Sequence, residues 1–263
     1  MDKIIVTGTT SGIGYYIAKH IVERGNHLIM INRNKEKADK LLDELAEIGS
    51  IDSYIADFSS FSSITKCIDE IKENHSSISM LVNNAGTFCD KSMKARNGAE
   101  LTLMVNFLGQ KYFTDELLSA FNMRVIFVSS KAGLFGRLKL KDGFFLNHAS
   151  GFRAYSASKK AQIIYASSIA SDIVLVHPGE VATGIWQGNS FMMKIARSIA
   201  KRFHQTPEEG AQSVIDMIEE DDYLKYRKYL YNNHKLVPID KIISKSEFNK
   251  EFLIMASNAI HDL

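Results

Sequence analysis

Tyr155 and Lys159 stand four residues apart in "YSASK". On a helix that spacing puts a phenol and an ammonium on one face. A free tyrosine titrates near ~10; a cation about 6 Å away at an effective dielectric of ~20 contributes ~3 kcal/mol, or about two pKa units. The pair therefore predicts a phenol whose proton moves near neutral pH, a general acid/base. Far upstream, "TGTTSGIG" (7–14) sets Gly8, Gly12 and Gly14 between an apolar run and an amphipathic stretch. A turn needs one glycine; three predict that a large group touches the backbone. Gly8 permits a tight exit from a strand, Gly12 lets a diphosphate approach along Thr10, Ser11 and Ile13, and Gly14 allows close packing. The helix that follows offers free N–H groups and a positive dipole end to an anion. The spacing is Gly-x-x-x-Gly-x-Gly, not the better-known Gly-x-Gly-x-x-Gly.

Such groups need a frame that brings residues 8 and 155 together. Short apolar runs occur at 3–7, 27–32, 53–56, 79–83, 124–129, 173–177 and 228–231. Between them, 3.6-residue periodicity covers 12–24, 34–48, 60–74, 97–121, 152–171 and 207–219. Strands apolar on both faces belong in a parallel sheet covered by helices. Strict alternation with right-handed crossovers predicts an α/β, Rossmann-type doubly wound parallel sheet of about seven strands, with helices on both faces. Local signals agree: Thr206 and Pro207 open the last of these helices, Asn34 can cap the second, and Gly25 suits a left-handed stop after the first. No Pro- or Ser-rich linker divides the chain, so residues 1–263 read as one domain with a lid near 184–205 and a helical tail near 240–263.

The second strand ends "INRN", with Asn32 and Arg33 where a dinucleotide fold commonly carries an acid for the ribose 2′-hydroxyl. A carboxylate would repel a 2′-phosphate, whereas a guanidinium can grip it in two places. Arg33 thus predicts NADP(H) in preference to NAD(H), which stays possible; the alternative is a solvated arginine at a helix start. Lys35 and Lys37 could help with that phosphate but read more readily as surface charge.

At 45% hydrophobic and 24% charged residues the chain can bury a core, and a net charge of +2 gives no reason to expect a nucleic-acid partner. Cys67 and Cys89 are expected as reduced thiols packed as small hydrophobes. No apolar stretch approaches the ~18 residues of a membrane span, and the strand expected from residue 3 or 4 predicts no signal peptide. These features predict a cytoplasmic protein. The eight histidines show no His-Glu-x-x-His or comparable ligand spacing, so no metal is predicted. His177, in "HPG", reads as structural. Gly-x-Ser-x-Gly is absent, which removes the case for a Ser-His-Asp hydrolase.

Four further motifs, "NNAG" (83–86), "VSS" (128–130), "YSASK" (155–159) and "HPGEVAT" (177–183), join "TGTTSGIG" at successive strand ends. Together they resemble the short-chain dehydrogenase/reductase family over residues 3–235. "NGAELTLMVNFLGQKYFT" (97–114), the long interval between Ser130 and Tyr155, and "TPEEGAQ" (206–212) are similar to its retinol dehydrogenase-like branch. The membrane anchor of many such enzymes has no counterpart in the sequence, and 184–205 shows no clear match, so retinoid specificity is not carried over.

The resemblance implies hydride transfer between nicotinamide and a carbonyl or a primary or secondary alcohol. Tyr155 would pass the proton, Ser130 rather than Ser129 would hold the oxygen as charge develops, and Lys159 would also bind the nicotinamide ribose. Asn106 matches the asparagine that kinks its helix and supports a water-linked proton path. Asp57, with Phe58 beside it, resembles the adenine-binding position; Asn83, Asn84, Ala85 and Gly86 resemble the adenosine-side wall; Pro178, Gly179, Val181 and Thr183 match the carboxamide turn. The lid carries Trp186, Phe191, Met192, Met193 and Phe203, which would favour an apolar small-molecule substrate. Its Lys194, Arg197, Lys201 and Arg202 would suit an anionic substrate or a membrane surface, or simply a solvated helix face. The helices at 97–121 and 152–171 are the usual dimer surfaces of the family and predict a homodimer or homotetramer. Reduction of a carbon–carbon double bond on the same scaffold, and a non-catalytic nucleotide sensor, are the alternatives.

Overall fold

A computed structural model describes residues 1–138, 151–169, 172–179, 186–187, 205–227, 229–232, 235–243 and 246–261. The chain begins with β1 (Lys3–Thr7), α1 (Gly12–Glu23), β2 (His27–Asn32), α2 (Lys35–Ala46), β3 (Ile51–Ile55), α3 (Phe61–Asn74) and β4 (Met80–Asn83). There follow a short β5 (Phe88–Cys89), α4 (Leu101–Leu103) running through a π turn (Met104–Leu108) into α5 (Gly109–Ala120), β6 (Arg124–Val128) and α6 (Ala132–Phe135). The remainder comprises α7 (Gly151–Ser168), β7 (Ile173–Val176), β8 (Trp186–Gln187), α8 (Pro207–Glu219), β9 (Tyr229–Asn232), β10 (Lys235–Pro238), α9 (Asp240–Ile243) and α10 (Ser246–His261).

The main sheet runs β10-β9-β7-β6-β4-β1-β2-β3, parallel throughout except for the antiparallel β10–β9 pair. All seven expected strands are present and an eighth is added. "KLVP" escaped the apolar-run criterion because β10 is a mostly exposed edge ending in Pro238, a residue an edge tolerates. Alternate residues of each strand feed two separate cores. Ile5, Ile29, Leu81, Val125 and Phe127 meet α3, α5 and α7. Ile4, Val6, Leu28, Met80 and Val82 meet α1 and α8. That two-sided burial is the physical reason the strands read as unbroken apolar runs.

The caps hold as read. Asn34 Oδ1 accepts from Lys37 N at 2.9 Å, Thr206 and Glu209 form a reciprocal capping box, and Gly25 sits at φ +76°. The helix expected over 97–121 starts later. Gly98 at φ +86° lies in a turn closed by Ala95 N to Ala99 O, so the helix begins only after Glu100, whose carboxylate accepts from Leu103 N at 2.8 Å.

The outer face of α5 and α7, on which the expectation of a homo-oligomer rested, carries α10. Phe252 stacks on Phe107 at 5.6 Å, and Lys111 Nζ donates to Ser257 Oγ at 3.1 Å. Phe252 and Ala256 are fully buried there, so an oligomer built on this face would have to displace α10. Cys67 and Cys89 are both buried and unpaired, and burial pushes the Cys67 thiol up to about 12. Among the described residues no helix is long and apolar enough to cross a membrane.

Candidate active site

The strand order reverses between β1 and β4, and a cavity of about 750 Å³ opens at the carboxyl ends of the strands there. Its floor is the turn after β1. Gly8 at φ +73° and Gly12 at φ +61° take backbone conformations that side chains disfavour. A Cβ on Gly14 would lie 2.1 Å from Gly8 O and 2.5 Å from Asn84 Nδ2, so the first turn of α1 presses directly on the loop. Ser11 makes no side-chain cap on α1, which leaves the helix N–H groups turned to the cavity. Thr10, Ser11, Ile13, Ala85 and Gly86 line the same wall.

This cradle is held from behind by Thr7 and Thr9, which the sequence did not single out, bonded to Asn84, Ala85 and Asn32. Thr7 Oγ1 accepts from Asn84 N at 3.0 Å and Ala85 N at 2.9 Å. Asn84 Nδ2 donates back to Thr7 O and Gly8 O. Asn32 turns inward: its Oδ1 accepts from Thr9 N and its Nδ2 donates to Thr9 Oγ1, both at 2.8 Å. With Asn32 spent on the loop, Arg33 stands at the cavity rim with Lys37, while Lys35 is paired to Asp39. Of the two lysines, Lys37 is the one that lines the cavity. Asp57 Oδ1 is tied to Ser59 N and Oγ, and both Asp57 and Phe58 face the cavity.

At the far end, α7 delivers Tyr155 and Lys159. The Tyr155 hydroxyl lies beside Ser130, which acts to lower its pKa, and its ring meets Phe88 edge-on at 5.6 Å. Lys159 Nζ lies 5.8 Å from the Tyr155 ring centre and donates to Val128 O at 2.8 Å. Ser130 is thus the serine beside the phenol, whereas Ser129 is buried with its hydroxyl unpartnered. The electrostatics differ from expectation. Burial raises the Tyr155 phenol, opposed by Ser130, and burial lowers Lys159 to about 7. Taking the ammonium out of water outweighs its effect on the phenol, so the lysine is the group poised near neutrality. Pro178, Gly179 and His177 close this end, and burial together with Lys131 and Lys159 holds His177 down to about 4.

Two predicted residues do not reach the cavity. Asn83 is fully buried, its Nδ2 donating to Thr114 Oγ1 at 2.9 Å. Asn106 sits in the π turn, where its side chain takes Thr87 N at 2.7 Å and donates to Thr87 O and Ser158 Oγ. Its main-chain carbonyl accepts from Gln162 Nε2 at 2.7 Å, and the same amide donates to Gln110 Oε1 at 2.9 Å. Gln110 in turn donates to Ala85 O. These contacts make Asn106 a clamp between α7 and the 85–87 wall. The buried glutamines left no trace in the apolar periodicity because a polar side chain on a core face looks like noise there. Val181, Thr183 and nearly all of the expected lid lie outside the described residues; of the lid, the Trp186–Gln187 backbone, paired with Phe88–Cys89, and Gln205 are described. Phe135 and Phe152, both exposed, stand at the mouth beside Tyr155.

Positive-φ glycines, free helix N–H groups, a basic rim and a phenol beside a lysine suit a nicotinamide dinucleotide in its extended form. A family model described as short chain dehydrogenase matches residues 2–191. A polyprenol dehydrogenase of Homo sapiens is 28% identical over 81% of this chain and 72% of its own length. A retinol dehydrogenase 14 of Mus musculus is also 28% identical, over 81% of this chain and 72% of its own length. A short chain dehydrogenase from Burkholderia cenocepacia, solved in complex with NADP, superposes with a TM-score of 0.67 at 21% identity, covering 84% of this chain and 92% of that one.

Proposed function

The chain belongs to the short chain dehydrogenase family, NAD(P)-dependent oxidoreductases of alcohols and carbonyls, and from that premise we propose that it prefers NADP(H) and acts on an apolar small molecule. The observation that carries the chemistry is Tyr155 beside Ser130, with Lys159 Nζ 5.8 Å from the ring, in the cavity that holds the glycine cradle.

Bound nicotinamide supplies or accepts the hydride. The chain's own groups handle the proton and the charge. When a carbonyl becomes an alkoxide, Tyr155 Oη donates the proton to that oxygen, and Ser130 Oγ holds it by a hydrogen bond as charge builds. Burial keeps the phenol protonated near neutral pH, so it is in the donor state for reduction. Lys159, tethered to Val128 O, fixes the angle between α7 and the end of β6 and carries a charge that pH controls. The Asn106 clamp holds the π turn against α7 and keeps the phenol in register with the 85–87 wall.

Arg33 and Lys37 at the rim, with no carboxylate at the end of β2, support the preference for a 2′-phosphate. Phe88, Phe135 and Phe152 around Tyr155 support an apolar substrate, and the two relatives named above are called dehydrogenases of a polyprenol and of retinol, both apolar alcohols. The test is turnover of a panel of apolar aldehydes, ketones and alcohols, followed through reduced nicotinamide absorbance with both cofactors. Tyr155→Phe should abolish turnover while leaving cofactor binding close to normal. A variant that keeps most of its rate would remove Tyr155 as the proton donor. Product analysis separates carbonyl from carbon–carbon double-bond reduction.

A further inference from the structure

At the end of the sheet opposite the cavity, three metal-ligand side chains converge from β2, β3 and the end of α3. His27 opens β2, Asp52 lies in β3, and His75 caps the C-terminus of α3. We propose that His27, Asp52 and His75 form a zinc site, with both Nε2 atoms and one Asp52 carboxylate oxygen as ligands and solvent in the fourth position.

Both imidazoles point at the same atom. Asp52 Oδ2 is 2.8 Å from His27 Nε2 and 3.6 Å from His75 Nε2. Donor atoms of the three residues all lie within 4.8 Å of one another. Zinc–nitrogen and zinc–oxygen bonds of about 2.0–2.2 Å put tetrahedral ligand atoms about 3.3 Å apart. The two distances to Asp52 straddle that value, and the two imidazole donor atoms, within 4.8 Å of each other, would draw together on binding. The outer nitrogen of His27 already has a partner, since Nδ1 lies 2.6 Å from Ser50 Oγ; zinc would displace the Nε2 proton now shared with Asp52, and the serine hydroxyl would then accept from Nδ1–H. His75 is only 5% exposed, and its Nδ1 is buried without a hydrogen-bond partner among the described residues, so on that side packing alone places its ring. Asp52 is half-exposed and leaves an entry path and room for water.

Two imidazoles and one carboxylate suit zinc over the oxygen-seeking calcium and magnesium. Tyr54, whose hydroxyl is 3.0 Å from His75 Nε2, would turn aside on binding, and Lys3 is close enough to oppose a cation. Both weaken the site. In sequence the ligands are spread over positions 27, 52 and 75, which matches no short metal motif; only the β2–β3 pairing and the end of α3 unite them.

The test is equilibrium dialysis of the full chain, without an affinity tag and stripped by chelator, against zinc chloride. One zinc per chain is expected, with at least a tenfold loss of affinity in Asp52→Asn and in His27→Ala and a smaller loss in Ser50→Ala. Asp52 is exposed enough for its variant to fold, which circular dichroism checks. Cobalt(II) should give a nitrogen–oxygen ligand spectrum without a thiolate band, separating this site from Cys67 and Cys89. No zinc bound at micromolar concentration, or zinc affinity unchanged in both folded variants, overturns the proposal.

Discussion

Replacing Lys159 by Met should stabilise this protein, and more so in acid than in base. The lysine is only 4% exposed, and burial brings its pKa from 10.5 to about 7. Between those two pH values the unfolded chain binds the proton and the folded chain does not, so the native protein gains stability as pH rises through the window. At pH 6 the buried lysine is charged and burdens the fold by about 5 kcal/mol, taking about 1.4 kcal/mol per pKa unit. At pH 9 the folded lysine is neutral and the burden falls to about 2 kcal/mol. Methionine fills a similar volume without the charge but gives up the hydrogen bond to Val128 O, a loss of about 1–3 kcal/mol that does not vary with pH. The variant should therefore exceed the parent by about 2–4 kcal/mol at pH 6 and roughly match it at pH 9. Urea unfolding of both proteins at the two pH values measures this. The change in their difference, about 3 kcal/mol, is free of the packing and hydrogen-bond terms. If parent and variant differ by the same amount at pH 6 and pH 9, the account of Lys159 as a buried, pH-poised group is wrong. The same variant should be inactive, because the destabilising charge is the one the site uses.

Gly14→Ala would press a methyl onto Gly8 O, a backbone atom that cannot give way cheaply; NADPH binding by titration should weaken by roughly tenfold or more, and unchanged affinity would show that the loop is not a close-packed cradle. Arg33→Asp should weaken NADPH roughly tenfold or more beyond its effect on NADH, and equal losses would remove Arg33 as the reader of the 2′-phosphate. Phe252→Ala should cost about 3–5 kcal/mol in urea unfolding, because the ring is fully buried on Phe107; a loss under about 1 kcal/mol would mean that α10 does not cover α5 and α7.

By itself the sequence determined the doubly wound sheet, because strands buried on both faces and helices buried on one leave period and punctuation that local chemistry enforces. It determined the glycine turn, the caps at Asn34 and Thr206, and the pairing of Tyr155 with Lys159, since all are local: one turn or one helical repeat contains each. It could not determine what depends on several elements meeting. Whether Lys159 acidifies Tyr155 or is itself driven toward neutrality depends on how completely β6, α7 and the 177–179 turn exclude water. Asn106 and Asn83 lie behind the cavity wall because a π turn and a buried strand end place them there. The cover of α10 over α5 and α7, the glutamine chain from Gln162 to Ala85, and the meeting of His27, Asp52 and His75 join residues dozens of positions apart. Tertiary structure alone decided them, because long-range contacts arise from the packing of whole elements and leave no period in the chain.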